Sequence, residues 1–274
     1  MKTYTRVLSI AGSDSGGCAG IQADLKTFSA LGCFGMTAIT AITAQNTQGV
    51  RAVHPFPVDM LVQQIDAVVE DIGVHAVKIG MLHSAEVVGA VAQAIDRHSL
   101  PCVVLDPVMV ATSGAVLIEN SAVGALVAQL FAKVVLVTPN LDEASLLVGR
   151  TLKTTDDMEA AASELIAMGA KAVLLKGGHL AGDTVHDLLA VAGHSNHWMR
   201  APRIVSPNTH GTGCTLSSAI AAYLALGMSL PQAVESARQF VRSALQAGSE
   251  ARTGHGSGPL NHGFAPMTMR TSAL

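Results

Sequence analysis

The chain has 274 residues, about half of them apolar and 14% charged, with a formal net charge of −3 at pH 7. Such a chain can bury a large core in one domain, and the small negative charge without any Lys/Arg cluster argues against nucleic acid or an anionic membrane as a standing partner. The four cysteines, Cys18, Cys33, Cys102 and Cys214, are widely spaced and form no Cys-x-x-Cys pair, which argues against a disulfide framework or a zinc site and for reduced thiols in the cytoplasm.

Residues 6–11 are apolar and β-prone, 12–20 form a Gly/Ser turn, and 21–31 return to helical spacing: strand, loop, helix. Residues 36–44, rich in Thr and Ile, read as a strand that ends in the polar turn 45–49. Leu61, Ile65, Val68, Val69 and Ile72 fall on one face of an amphipathic helix over 58–74, and a short strand over 76–79 follows, ending at Gly80-Met81. The alternation continues with helix 86–98, apolar strand 102–105 stopped by Asp106-Pro107, helix 121–132, and strand 134–137 closed by Thr138-Pro139-Asn140. Helices 141–148 and 156–168 precede strand 172–175, which runs into Lys176-Gly177-Gly178-His179. Short β-like pieces at 185–191 and 197–200 lead to the turn 206–213 and a buried helix starting near Gly213; a last helix spans 231–247, with Pro231 in its first turn. Residues 212–234 carry no charge, but Ser217, Ser218, Gly227, Ser229, Pro231 and Gln232 reduce their compact apolar centre to about half of the ~20 residues a bilayer requires. No long apolar signal core opens the chain, so secretion is not expected.

Short apolar strands separated by helices predict a three-layer α/β domain with a mostly parallel central sheet covered on both faces. Ligands bind beyond the carboxyl ends of such strands, and every polar cluster of this chain lies at one: 12–20, Gln45, Asp106, 140–143, 176–179 and 208–214. One composite site is expected. The Gly/His/Ser-rich stretch from Thr253 onward is expected to be peripheral.

The chain has no G-x-x-x-x-G-K-[ST] loop, no complete G-x-G-x-x-G and no G-x-S-x-G elbow. The Gly211-Thr212-Gly213 turn is still suited to an anion, because first-turn N–H groups lack intrahelical partners and the helix dipole is positive there; a plain flexible helix start is the alternative. Cys214, on that first turn, would be biased toward thiolate by the same dipole, although most free cysteines are inert core residues. Asp106, Asn140 and Glu143 offer oxygen ligands to magnesium, directly or through water; equally, an Asp before Pro forms turns and Asn-Leu-Asp-Glu makes an N-cap with first-turn acids. Lys176 could lie along nucleotide phosphates or simply be solvated. Met81 and Val108 would wall a flat heteroaromatic ligand or belong to the core. Of the eleven histidines only His194 and His197 are close in sequence, so they are expected at the surface rather than at a metal.

Several segments together carry a resemblance: Ala11-Gly12-Ser13-Asp14, Gly20-Ile21-Gln22-Ala23-Asp24-Leu25-Lys26-Thr27, Thr43-Ala44-Gln45-Asn46-Thr47, Lys78-Ile79-Gly80-Met81, Leu105-Asp106-Pro107-Val108-Met109, Thr138-Pro139-Asn140, Lys176-Gly177-Gly178-His179 and Asn208-Thr209-His210-Gly211-Thr212-Gly213-Cys214-Thr215. In these the chain closely resembles the hydroxymethylpyrimidine/phosphomethylpyrimidine kinases of thiamine biosynthesis, in the ribokinase-like superfamily. The resemblance runs to about Phe264, implying one ribokinase-like domain over 1–264 with a peripheral tail over 265–274, and 254–259 is similar to the family's closing segment. It implies an ATP- and magnesium-dependent kinase that phosphorylates the hydroxymethyl group of 4-amino-5-hydroxymethyl-2-methylpyrimidine and then the monophosphate, and it implies a homodimer.

By the same resemblance Gln45 hydrogen-bonds the aminopyrimidine, and Gly12, Ala19, Asp24, Met81 and Val108 belong to the substrate site. Gly211, Thr212 and Gly213 form an anion hole. Lys176, Asn140 and Thr209 face the ATP phosphates, and Asp106 and Glu143 face magnesium. An amide both donates and accepts, as an aminopyrimidine edge requires. Cys214 stands where sugar kinases of the superfamily carry a catalytic aspartate. A phosphate acceptor, with a second pKa of about 6, needs no base, so the thiol is expected to position and modestly activate the hydroxymethyl group in the first step.

Two departures from the family pattern stand out: Cys18 replaces a usual glycine, tolerable if its φ is negative, and Thr112 replaces a frequent lysine in the 110–114 lid. The alternatives are a pyridoxal kinase of the same superfamily, against which Ala111 stands where related dual-cysteine enzymes carry a lid cysteine, and a non-catalytic pyrimidine sensor.

Overall fold

The computed structural model of the protein describes residues 2–110 and 117–273. Ala111 and Thr112 of the expected lid lie outside the described residues. In chain order the elements are β1 (Lys2–Tyr4), β2 (Arg6–Asp14), α1 (Gly20–Ala30), β3 (Phe34–Asn46), β4 (Gly49–Pro55), α2 (Val58–Asp71), β5 (Ala76–Ile79), α3 (Ala85–His98), β6 (Val103–Leu105) and α4 (Asn120–Leu130). There follow β7 (Leu136–Val137), α5 (Leu141–Val148), α6 (Thr155–Ala167), β8 (Ala172–Leu175), β9 (Thr184–Val191), β10 (His197–Pro202), α7 (Thr212–Ala225), α8 (Leu230–Gly248) and β11 (Thr271–Ala273).

Nine of these strands form one sheet in the order β10-β9-β8-β7-β6-β5-β2-β3-β4. The six from β8 to β3 are parallel, and antiparallel strands close both edges. Because side chains alternate along a strand, β2 feeds two cores. Leu8 and Ile10 pack with residues of α2, α3, α4, α5 and α6 on one face, while Val7 packs with Phe28 of α1 and with α7 and α8 on the other. Each such fully buried aliphatic side chain contributes about 1.5–3 kcal/mol of transfer free energy. The short central strands read as unbroken apolar runs because both of their faces are covered. That is the expected three-layer arrangement. Among the described residues no helix is long and apolar enough to cross a membrane.

Three local expectations are corrected. Strand β2 runs on through Asp14, paired with Thr43 and irregular between Ala11 and Ser13, so the loop before α1 is shorter than the glycines suggest. Residues 49–55 pair with β3 as an edge strand where only a turn is legible, because 51–55 are exposed and carry no apolar alternation. The stretch from Thr253 is not merely peripheral: Leu260 and His262 are buried, and the exposed residues 265–271 are stitched down, with β11 paired to β1 and the Met267 and Arg270 N–H groups donating to the Ala30 and Gly32 carbonyls at 2.8 and 2.7 Å.

Candidate active site

The polar corners meet in one cleft of about 750 Å³ beyond the carboxyl ends of the parallel strands. Gly12, Ala19, Gln45, Met81, Val108, Cys214 and the turn 209–213 line it together with Asp106, Asn140, Glu143 and Lys176. Gln45 and Cys214, which had to face one small molecule, share this space.

The loop from β2 into α1 is shaped by Asp14, whose carboxylate accepts from the Gly16, Cys18 and Ala19 N–H groups at 2.8, 2.9 and 2.8 Å. Cys18 fits there: among the described residues the non-glycine positions with positive φ are Ser99 and Cys102, so its backbone is unstrained. The Cys18 carbonyl lies directly against Gly211, where an added Cβ would overlap it, and Gly211 has a φ of 86°. Glycine is required there twice over. Gly211 caps α7 with no side-chain partner, and the Thr212 N–H donates to the Thr209 carbonyl at 3.3 Å, so it is the N–H groups after it that face an anion. Thr215 Oγ1 donates to the Gly211 carbonyl at 2.8 Å and lies 2.9 Å from His262 Nε2, fixing the first turn.

Cys214 is not the thiolate expected of a helix N-terminus. Burial pushes its pKa up to about 11 against the pull of Lys78, so it is a thiol at neutral pH. Desolvation outweighs the dipole.

Asp24 is also corrected. It is fully buried and does not reach the cleft. Its two oxygens lie 2.9 Å from Lys78 Nζ and accept from Ser9 Oγ and Ser218 Oγ, each at 2.6 Å. The residue on the cleft wall is Lys78. Burial alone would discharge this lysine, but Asp24 holds its pKa above the ordinary value. A lysine inside the apolar strand Ala76–Ile79 is the sequence signal that was available.

Lys176 Nζ donates to Asp106 Oδ1 at 2.9 Å and lies 3.9 Å from Glu143 Oε2. Asp106 also accepts from Thr138 Oγ1 and Ser217 Oγ at 3.0 and 3.3 Å. Burial raises the Asp106 pKa, but Lys176 and Lys78 outweigh it and hold the acid below the usual range. Glu143 goes the other way: burial, with repulsion from Asp106, pushes it up to about 7 despite Lys176. Asn140 caps α5 in a capping box, accepting from the Glu143 N–H at 2.8 Å while its own N–H donates to Glu143 Oε2 at 2.7 Å. The N-cap reading of this motif is therefore met.

The donor set suits magnesium, which takes one or two carboxylates and keeps waters and phosphate oxygens as its other ligands. Asp106 and Glu143 are the pair on the cleft that could supply it. A separate acid–imidazole group, Asp66, Glu70 and His98, lies outside the cleft, and Asp66 is already paired at 2.7 Å with both Arg97 and His98.

Gln45 Nε2 lies 2.9 Å from His210 Nε2, and Thr43 Oγ1 lies 3.2 Å from Gln45 Oε1. His210 and His262 are buried, contrary to the surface placement expected of the histidines. Burial lowers both pKa values, that of His262 to about 4. Thr209 lines the cleft near Ser257, with hydroxyls 3.3 Å apart. Past the Lys176 turn the wall is completed by Ile204, Val241 and Leu245, and by Arg238, whose Nε donates to Asp187 at 2.7 Å. None of these residues stood out in the sequence, because apolar and paired groups on a wall look like core.

A three-layer ribokinase-like fold, with a glycine turn at a helix N-terminus facing an acid–lysine set, defines a small-molecule kinase. The family model described as phosphomethylpyrimidine kinase matches residues 14–261, and the chain belongs to that family. It is 49% identical over 259 residues to the hydroxymethylpyrimidine/phosphomethylpyrimidine kinase of Streptomyces coelicolor, covering 94% of each chain. It is 46% identical to the enzyme of the same name from Bacillus subtilis, covering 97% of this chain and 98% of that one. Among solved structures, phosphomethylpyrimidine kinase from Clostridium difficile superposes with a TM-score of 0.77 at 42% identity, over 88% of this chain and 99% of that one. An ADP complex of Bacillus subtilis pyridoxal kinase superposes at 0.86 with 38% identity, over 95% and 98%.

Proposed function

We propose that the chain transfers phosphate from ATP to the hydroxymethyl group of 4-amino-5-hydroxymethyl-2-methylpyrimidine and then to the resulting monophosphate, giving the diphosphate used in thiamine biosynthesis. The observation that carries this reading is the single cleft shared by Gln45 and the N-terminus of α7. Gln45 meets the aminopyrimidine edge, with Met81 and Val108 against the ring and Gly12 and Ala19 leaving room for it. The hydroxymethyl oxygen attacks the γ-phosphorus, the bond to the β–γ bridging oxygen breaks, and ADP leaves with that electron pair. The hydroxyl proton passes to an oxygen of the transferred phosphoryl group, since the Cys214 thiol is already protonated. In a loose phosphoryl-transfer transition state positioning and charge do most of the catalysis. The N–H groups of the turn 211–213 and Cys214 stabilise the moving group, and Lys176 lies along the ATP phosphates with Asn140 and Thr209 nearby. Asp106 and Glu143 would hold magnesium, which would neutralise phosphate charge there. We place the enzyme in the cytoplasm, as a homodimer.

The test is product analysis with ATP, magnesium and the free pyrimidine. Successive mono- and diphosphate support the reading; absence of both sinks it. The superposition on pyridoxal kinases favours a second assay with pyridoxal, for which a higher kcat/KM would overturn the proposed substrate.

A further inference from the structure

The segment after α8 touches both halves of the substrate site. The His255 and Gly256 N–H groups each donate to Thr47 Oγ1 at 3.2 Å, two residues beyond Gln45. Farther on, the Gly258 carbonyl accepts from the His210 N–H at 3.1 Å, Ser257 Oγ donates to the Pro207 carbonyl at 3.0 Å, and Pro259 bridges to His210. His210 in turn lies against the Gln45 amide, 2.9 Å away. Gln45 is therefore held from two sides by one strap, through Thr47 and through His210.

The glycines of the strap serve this contact. A Cβ on Gly256 would overlap the Thr47 carbonyl, one on Gly254 the Thr47 hydroxyl, and one on Gly258 the side-chain oxygen of Asn208. Alternate positions along the strap thus lie bare against the hairpin and the phosphate turn, closer than any side chain allows. The bonds to Thr47 are solvent-exposed, so they add little to global stability. Their effect is to fix where the end of the β3–β4 hairpin sits relative to the helix that receives phosphate.

We propose that Thr47 is a positioning residue, tying the Gln45 hairpin to the strap that also carries His210 and the phosphate turn. The inference rests on Gln45 being the pyrimidine contact. A near-attack geometry is lost with shifts of about 1 Å, and here the hairpin and the turn are registered through the strap.

The experiment compares steady-state kinetics of the full chain with Thr47→Val, Thr47→Ser and Gly256→Ala. Thr47→Val keeps the volume and removes the acceptor of two N–H bonds, so KM for the pyrimidine is expected to rise about tenfold. KM for ATP and the melting temperature stay unchanged. Thr47→Ser restores the acceptor and stays within about twofold of the native chain, whereas Gly256→Ala, which lifts the strap off Thr47, behaves like the valine variant. An unchanged pyrimidine KM in Thr47→Val, a serine variant as poor as valine, or an equal rise in the KM for ATP overturns the proposal. If the native chain phosphorylates no pyrimidine at all, both this inference and the functional reading fall; if it does while Thr47→Val is unaffected, only the strap's role falls.

Discussion

Lys78 Nζ sits 2.9 Å from both carboxylate oxygens of Asp24, and neither side chain is exposed to solvent. Ser9 and Ser218 complete the shell of the carboxylate at 2.6 Å each. Taking two charges out of water is costly, and a buried pair of this kind is often no more stabilising than apolar residues of the same size. Its position explains it better than its stability does: Lys78 lies against the cleft, where its charge acts on both Cys214 and Asp106. Asp24 then works through Lys78, keeping it charged.

Breaking this pair from one side should be severe. Lys78→Met or Asp24→Ala alone leaves an uncompensated buried charge, with an expected loss of about 3–5 kcal/mol measured by urea denaturation. The double variant Lys78→Met/Asp24→Asn should recover most of that stability while kcat for the alcohol stays down by about a hundredfold, comparable to losing one preorganised donor. A stable double variant with native kcat would show that the buried Lys78 charge does not act on the reaction.

The Cys214 thiol sets a second expectation. With its pKa pushed up to about 11 by burial, its alkylation by iodoacetamide at neutral pH should run at least about a hundredfold slower than that of a free cysteine of pKa about 8.5. Cys214→Ala should lower the first phosphorylation more than the second, because the thiol positions the neutral alcohol, whereas the ionised phosphate acceptor of the second step is placed by its charge. Rates measured separately with the free pyrimidine and with its monophosphate decide this. Equal losses in both steps would contradict a role confined to the alcohol.

The turn beside it can be probed through Gly211. Alanine there must adopt a φ of 86° and place a Cβ into the Cys18 carbonyl. Strain of about 1–2 kcal/mol from φ alone, added to the clash, should displace the first-turn N–H groups. Gly211→Ala should therefore cut kcat for both phosphorylations about a hundredfold or more, with a smaller effect on pyrimidine binding measured by calorimetry.

Most of this site was legible because chemistry sits where strands end. Gly12, Gln45, Asp106, Asn140 and Lys176 each stand at or just past the end of an apolar run, a parallel sheet brings such ends to one edge, and the polar loop ahead of α7 adds Gly211. What escaped was encoded by contact rather than by pattern. Lys78 lies inside a strand, so its role emerges only from the burial of Asp24 against it. Ile204, Val241 and Leu245 line the wall but are indistinguishable in sequence from core. Strand β4 faces solvent and lacks alternation, and β11 is defined by its pairing with β1 rather than by its composition. The Cys214 protonation state was misjudged because a helix terminus is visible in sequence and desolvation is not.

Glu143 gives the last expectation, in the pH dependence of stability. Its pKa is pushed from 4.5 in the unfolded chain up to about 7 by burial and by Asp106. The folded chain therefore binds more protons than the unfolded chain between these values, and this group's contribution to stability falls as pH rises through that window. Glu143→Gln cannot ionise and lacks the slope. In the metal-free protein, denaturation midpoints of the native chain should drop relative to Glu143→Gln between about pH 5 and pH 8. Magnesium with ATP supplies the cation that a buried carboxylate pair wants, so at the upper end of that window it should stabilise the native chain more than the glutamine variant and shrink the difference. Glu143→Gln should in the same titration need more magnesium for half-maximal rate. A pH-independent difference between the two proteins would mean that Glu143 is ionised throughout and that Lys176 outweighs its burial.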